Sequence, residues 1–300
     1  MGWRILFFSE PSKISLVYNN VVVEKDGRKA LFLSLSDIDA VVIENRQISI
    51  TSALLGRFAS EKISLIVVDE HHQPSGILNP IGANVRHAQF AKAQLLFPEE
   101  KKAALWQSII HQKITNQAKA LEFFGHEKES KELFNISEAI AIDNAIQTEG
   151  YAASLHFKTL FPKLIRKSME IDARNDALNY GYAVLRAAIL RSIAASGLLP
   201  AVGIWHSSDL NPGNLADDII EPFRPIVDVV VREMFAEKPD QPTIYKTEKL
   251  KLVGILQEKI LIDGKALSVS DAIGVCVDSL RKCYISCENV LKLPKIEGFR

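Results

Sequence analysis

The sequence predicts an α+β chain in two parts, a β-rich module over residues 1–84 and a helical region over residues 85–300. Three observations carry this. Short β-branched runs separated by turn residues crowd the first part. Beyond Asn84, apolar residues recur at helical spacing over long stretches. Regular strand–helix alternation is missing, which argues against a doubly wound parallel sheet.

In the first part, Trp3 to Phe8 is a short apolar run. Ile14 to Tyr18 and Val21 to Glu24 are strand-like and flank the turn pair Asn19-Asn20. Asp26-Gly27 is a hairpin signal ahead of Ala30 to Leu35. Ile38 to Ile43 and Ile63 to Val68 continue the pattern. Between them, Leu54, Leu55 and Phe58 have the spacing of one short helix over Thr51 to Glu61. Pro74-Ser-Gly76 and Asn79-Pro80 close the module. Helices are then predicted over Val85 to Phe97 and Glu100 to Phe124, broken at Pro98, and over Ser137 to Phe161. Another runs from an N-cap at Asp176 to Ala195, with Gly197 as its stop. Asn214 is the predicted N-cap of the next, and further helices cover Ile244 to Leu261 and Ser270 to Leu291.

Composition narrows the class. An apolar fraction of 47% over 300 residues supports a packed core. No apolar stretch approaches the ~20 residues that span a bilayer. The N-terminus lacks the basic lead and long apolar core of a signal peptide, and Leu6 stands where a myristoylation signal has Ser or Thr. Cys276, Cys283 and Cys287 are too few for a disulfide framework and have no nearby histidine for zinc. Plain thiols in a reducing cytoplasm are therefore expected. A net charge of zero argues against coating nucleic acid by bulk charge, but not against a nucleic-acid enzyme whose charges segregate.

The chemistry concentrates in Asn214-Leu-Ala-Asp-Asp-Ile-Ile-Glu-Pro-Phe-Arg-Pro225, with carboxylates at Asp217, Asp218 and Glu221. Like charges one helical turn apart repel, and a divalent cation converts that repulsion into shared ligation. Asp217 sits at N3 of a helix capped by Asn214, where a carboxylate reaches back to the cap. Asp218 and Glu221 share a face, either as a solvated acidic face or as part of a site shaped by apolar neighbours. Pro222 should kink or restart the helix after Glu221. His206, in Gly203-Ile-Trp-His, reads as a satisfied structural histidine or a ligand, and Glu149 as a surface acid or a ligand. Together, Glu149, His206 and Glu221 would suit Mg²⁺ or Mn²⁺ better than Zn²⁺, since the set lacks cysteine.

Four blocks in order, Glu149-Gly-x-Ala-Ala-x-x-His-Phe157, Asn175-Asp-Ala-Leu-Asn-Tyr-Gly-Tyr182, Gly203-x-x-His206 and the acidic motif, resemble the CRISPR-associated Cas1 endonuclease-integrases. Gln47-Ile-Ser-Ile-Thr-Ser52, Ile63-x-Leu-Ile-x-Val-Asp69 and Pro74-x-Gly76 resemble that family's N-terminal domain. The likeness covers nearly the whole chain, is weakest after Lys238, and its acidic motif is similar to members from type II systems. It implies a β-sandwich-like N-terminal domain that mediates homodimerisation, followed by an all-helical catalytic domain. Mg²⁺ or Mn²⁺ would be held by Glu149, His206 and Glu221. Asp218 would be a further ligand or a group bonded to one, and Asp217 matches a variable position. The implied reaction is insertion of short DNA fragments at CRISPR repeats by 3′-hydroxyl attack on a phosphodiester. DNA hydrolysis would occur at the same site, and the implied partner is Cas2, in a heterohexamer. The alternatives are a nuclease that does not integrate and a non-catalytic DNA-binding scaffold.

DNA contact must come from local charge. Lys158, Lys163, Arg166 and Lys167 follow the Glu149 helix, Arg174 and Arg186 lie along the next, and Lys246, Lys249 and Lys251 lie further on. Each is a candidate phosphate contact or an ordinary solubilising cation. Arg224, inside the acidic motif, pairs with a carboxylate or clamps a phosphate. Tyr151, Tyr180 and Tyr182 read as stacking platforms or core residues.

Overall fold

The computed structural model describes residues 4–26, 28–61, 63–69, 74–78, 86–141, 145–162, 164, 172–236 and 241–297. The chain divides into two compact units, residues 1–85 and 86–300.

The first unit holds β1 (Arg4–Phe8), β2 (Ser12–Val17), β3 (Asn20–Glu24), β4 (Leu31–Ser34), β5 (Ile38–Ile43), β6 (Ile48–Ile50), α1 (Ser52–Ser60), β7 (Ser64–Val68) and β8 (Pro74–Leu78). Two four-stranded sheets form, in the orders β1-β5-β7-β8 and β4-β3-β2-β6. Their core includes Phe8 and Val41 of one sheet, Ile14, Val21 and Val23 of the other, and Leu54 and Phe58 of α1. This is the sandwich-like arrangement that the family resemblance implies. The turn between β2 and β3 falls one residue earlier than predicted, because Val17 pairs with Asn20 and Tyr18 takes a positive φ of 54°. Two strands escaped the sequence reading. β6 has only three residues, and β8 contains the Pro-Ser-Gly that reads as a terminator; as an edge strand it tolerates its proline.

The second unit is built on α2 (His87–Leu95), α3 (Glu99–Phe123), α4 (Glu127–Glu138), α5 (Ala145–Leu160), α6 (Ala173–Ser196), α7 (Asn214–Ile219), α8 (Arg224–Ala236), α9 (Lys246–Gly254) and α10 (Val269–Ser286). Helix α3 is central and touches α4, α5, α7 and α8. Its core face carries Leu105, Trp106, Ile109, Ile110, Ile114 and Leu121, but also buried Lys113, Asn116 and Gln117. Pro98, at its N-cap, marks the predicted break.

Four expectations change here. The stretch predicted as one helix from Ser137 contains the end of α4 and all of α5. Helix α6 starts earlier than expected, because Asp172 rather than Asp176 caps it by accepting from the Arg174 amide at 2.9 Å; Gly197 does end it, at a φ of 83°. Gly213, not Asn214, is the cap residue of α7, since the Asn214 side chain turns away to the carbonyls of Ala201 and Ser208. The helical unit also contains a hairpin, β9 (Lys259–Ile262) and β10 (Lys265–Ser268), which takes the end of the helix expected over Ile244 to Leu261 and the gap before the next. Its loop is Asp263-Gly264 with φ of 52° and 72°, the left-handed pair that a type I′ turn demands. Pro222 acts as predicted: α7 stops, a single 3₁₀ turn covers Glu221–Phe223, and α8 begins at Arg224. All three cysteines are free. Cys276 and Cys283 are buried, and burial pushes the Cys276 thiol up to about 12.

Helix α6 lies against α8 and α9 at Gly181, where an added Cβ would sit 2.5 Å from Val227 Cγ1 and 3.3 Å from Leu252 Cδ2. Both neighbours are fully buried. Gly181→Ala should therefore cost about 1–3 kcal/mol in urea unfolding. Gly274→Ala, where α10 leaves open space, should instead be neutral or stabilising by up to ~1 kcal/mol.

Candidate metal centre

Glu149 stands on α5 and Glu221 on the 3₁₀ turn that Pro222 enforces. Between them reaches Lys113 of α3. Its Nζ lies 2.5 Å from Glu149 Oε1 and 2.5 Å from Glu221 Oε2, so two carboxylates share one positive charge. Glu221 is 6% exposed, and its other oxygen accepts from Arg224 Nε at 2.9 Å. Burial works to raise the Glu221 pKa, but the Lys113 and Arg224 charges outweigh it and hold the carboxyl below its ordinary value. Burial likewise opposes the Lys113 ammonium, and Glu221 and Glu149 together outweigh it, leaving that pKa raised. The turn itself is held from α3, since Asn116 Nδ2 donates to the carbonyls of Pro222 (2.7 Å) and Pro294 (2.9 Å).

His206 lies in the connection between α6 and α7, and Asn214, Asp217 and Asp218 of the acidic motif fix that connection. Asp218, fully buried, accepts from the amides of Ile204 (2.5 Å), Trp205 (3.2 Å) and His206 (3.0 Å), and from His206 Nδ1 at 2.7 Å. A Cβ at Gly203 would lie 2.8 Å from Asp218 Oδ2, so the loop closes only with glycine there. Asn214 ties the loop at Ala201 and Ser208. Asp217 binds Arg186 Nε at 2.6 Å and Asn211 Nδ2 at 2.6 Å. From α2, buried Gln94 donates to the carbonyls of Leu199 and Val202 and accepts from the Leu199 amide. Trp106 of α3 supports the loop from below, stacking on Trp205 (5.7 Å, 8°) and meeting the His206 ring edge-on at 5.9 Å. The hydrogen bond to Asp218 raises the His206 pKa; partial burial opposes it, and the charges of Asp218, Glu221 and Asp217 reinforce it.

A second buried network backs the first. Asp228 of α8 accepts from Tyr182 OH and lies 2.9 Å from His156 Nε2. The Arg224 guanidinium sits over the Tyr182 ring at 4.7 Å. Tyr182 thereby positions the arginine that grips Glu221. A cavity of about 230 Å³ opens beside these groups, lined by Lys113, Gln117, Ala153, Phe157, Tyr182, Glu221, Arg224 and Asp228.

Of the predicted site residues, Glu149 and Glu221 meet at Lys113, and His206 meets Asp218. Among the described residues, no three His, Cys, Asp or Glu side chains close on one point. The expected ligand set is thus divided, with an ammonium holding the two carboxylates. Asp217 does not reach back to a cap, because Arg186 and Asn211 take both its oxygens. The proposed phosphate contacts also sort differently. Arg174 is engaged by Asp172, Arg186 by Asp217 and Arg224 by Glu221, while Lys249 is buried over the Tyr180 ring. Lys158, Lys246 and Lys251 are exposed. Lys163, Arg166 and Lys167 lie outside the described residues. Tyr180 and Tyr182 are core residues, and exposed Tyr151 donates to Glu132. The sequence reading missed Lys113 and Asp228. Both leave a trace there: a polar stripe of Gln112, Lys113, Asn116 and Gln117 inside an apolar helix, and one aspartate inside Ile226-Val-Asp-Val-Val-Val231.

The family model for CRISPR associated protein Cas1 matches residues 5–260. The chain belongs to the Cas1 family. It is 35% identical to the CRISPR-associated endonuclease Cas1 of Neisseria meningitidis serogroup C (strain 8013), over 99% of this chain and 97% of that protein. Its fold is shared with a casposase bound to integration product (TM-score 0.76, 18% identity, 97% of this chain and 92% of that one). A chain of a Cas6-RT-Cas1–Cas2 complex shares it too (TM-score 0.73, 18% identity, 96% of this chain and 35% of that one). Among the described residues of this Cas1 chain, no helix is long and apolar enough to cross a membrane.

With no divalent cation added, Asp218→Asn should lower the His206 pKa toward its ordinary value, seen in an NMR titration of the ring Cε1–H. The sign follows from the raised folded-state pKa. Pairing of His206 with Asp218 stabilises fully below the unfolded imidazole value and is lost as pH rises through the folded one. The substitution also sets an amide NH₂ against backbone donors, at a cost of about 1–3 kcal/mol in urea unfolding. An unchanged His206 titration would show that Asp218 does not control the ring.

Proposed function

We propose that this Cas1 protein is a divalent-metal-dependent DNA endonuclease and integrase of CRISPR adaptation. Its ligands would be Glu149, Glu221 and His206. The observation that carries this reading is the cationic atom shared by two carboxylates: Lys113 Nζ stands where both can grip one positive ion. The donor chemistry fits as well. Two carboxylates and a neutral imidazole suit Mg²⁺ or Mn²⁺. Asp218 holds Nδ1, which leaves Nε2 for a metal, and this is the carboxylate–histidine pairing that orients ligating imidazoles. With four hydrogen bonds already on its two oxygens, Asp218 is the orienting group and not a fourth ligand.

A bound cation would supply Lewis-acid stabilisation of the charge that develops on a phosphoryl oxygen. The chain's own residues set the stage for it. Arg224 fixes one Glu221 oxygen, Asp218 and Gly203 fix the imidazole, and exposed Lys158, Lys246 and Lys251 offer phosphate contacts. The 3′-hydroxyl of an incoming fragment attacks a phosphodiester at a repeat edge, a new O–P bond forms, and the old 3′-oxygen leaves. Water in the attacking role gives hydrolysis.

The relative from Neisseria, named an endonuclease and matched along almost its entire length, supports the nuclease half. The fold shared with a casposase bound to integration product supports the joining half. Assembly with Cas2 belongs to the same reading, supported by the fold shared with a Cas1–Cas2 complex, and homodimerisation and a heterohexamer are the form it is proposed to take. A cytoplasmic location belongs to it too, in keeping with three free thiols.

Glu149→Gln and Glu221→Gln should each lower joining of a 3′-hydroxyl fragment to a repeat plasmid by at least about 100-fold. They should also abolish stabilisation by Mn²⁺, which in the unaltered protein amounts to about 2.7 kcal/mol at a hundred times Kd. DNA processing unchanged in both variants would leave a non-catalytic DNA-binding scaffold as the better description. Nicks without joined products would restrict the activity to hydrolysis.

A further inference from the structure

Lys113 is buried, at 6% exposure, on the central helix of its unit. Its Nζ bridges two carboxylates that come from separate elements, each at 2.5 Å. Two carboxylates held this close repel when nothing positive lies between them. An ammonium removes that repulsion without any external ion. A divalent cation drawn to the same two oxygens would be repelled by an ammonium this close, so the two compete for the pair.

An exit for the ammonium is built alongside. Lys113 lines the cavity of about 230 Å³, and so does Gln117, one helical turn further along α3. Gln117 is 2% exposed, and its Oε1 is a buried acceptor with no hydrogen-bond partner. A buried acceptor left unsatisfied is costly and uncommon. The four-carbon lysine stem is long and flexible enough to redirect its head by one turn of helix.

We propose that Lys113 is a tethered counter-ion that closes the carboxylate pair in the metal-free protein and competes with the divalent cation for it. Metal loading then moves the ammonium off Glu149 and Glu221 into the neighbouring cavity, where Gln117 Oε1 receives it. The proposal rests on the metal-binding reading above and adds to it a residue that sets metal affinity from within. It also accounts for the divided ligand set: the carboxylates are gathered by Lys113, and His206 joins them only when the ammonium leaves.

The test is Mn²⁺ binding to the full-length protein, followed by the EPR signal of free Mn²⁺. Lys113→Met should bind Mn²⁺ at least about tenfold more tightly than the unaltered chain, a difference of about 1.4 kcal/mol. Equal or weaker binding by Lys113→Met, with binding lost in Glu221→Gln, overturns the counter-ion proposal and leaves the metal reading standing. Mn²⁺ binding that Glu221→Gln does not reduce in either background sinks the metal reading itself. Should Lys113→Met fail to fold, acetylation of Lys113 in the unaltered protein, read by peptide mass spectrometry, takes its place. Saturating Mn²⁺ should raise the labelling rate several-fold as the ion pairs release the amine, and an unchanged or slower rate overturns the proposal.

Discussion

Two carboxylates forced onto one positive charge are the constraint around which the helical unit is organised. Glu149 and Glu221 lie far apart in the chain, and only the packing of α5 and the 3₁₀ turn against α3 brings them together. Such a pair is unfavourable unless something positive is supplied at the same place. The central helix supplies it through Lys113, and in doing so accepts a polar stripe in what is otherwise an apolar core. Asn116 on the same stripe holds the turn that carries Glu221, so one face of one helix provides both the charge and the scaffold.

The acidic motif reads differently once its bonds are traced. What looks in sequence like one cluster of like charges is a division of labour. Asp217 faces Arg186 and Asn211, Asp218 faces the His206 loop, and Glu221 faces Lys113 and Arg224. Each carboxylate has its own partner, so repulsion along the helix is largely cancelled. Asp218 matters most to geometry, because three successive amides and an imidazole converge on it. A loop satisfied this fully holds its histidine in one orientation, which a binding site of any chemistry requires.

Much of this was legible beforehand. β-branched runs and turn pairs gave most of the first unit, and α3 and α6 were legible as long stretches bounded by Pro98 and by Gly197. Pro222 told correctly where the acidic helix would restart. Cap positions were less legible: Asp176 was the expected cap of α6, and Asp172, four residues earlier, takes that place by accepting from the Arg174 amide. The β9–β10 hairpin was hidden because Lys-Ile-Leu-Ile satisfies a helix as readily as a strand; only Asp263-Gly264 argued otherwise. Glu149, His206 and Glu221 were nameable from their motif blocks. Their actual neighbours were not, because Lys113 lies 36 residues before Glu149, and no local pattern encodes a long-range ion pair. Of the candidate DNA contacts, Arg174, Arg186 and Arg224 each pair with a carboxylate of the chain, which for Arg224 is one of the two roles its place in the acidic motif suggested.

The proposed chemistry requires Glu149, Glu221 and His206 to bind a single divalent cation. Anomalous diffraction from crystals soaked in Mn²⁺ tests it most directly. The expected result is one strong peak touching both carboxylates and His206 Nε2, with the Lys113 side chain withdrawn. A structure saturated with Mn²⁺ in which Lys113 still bridges the two glutamates, and the metal sits elsewhere or nowhere, would contradict it.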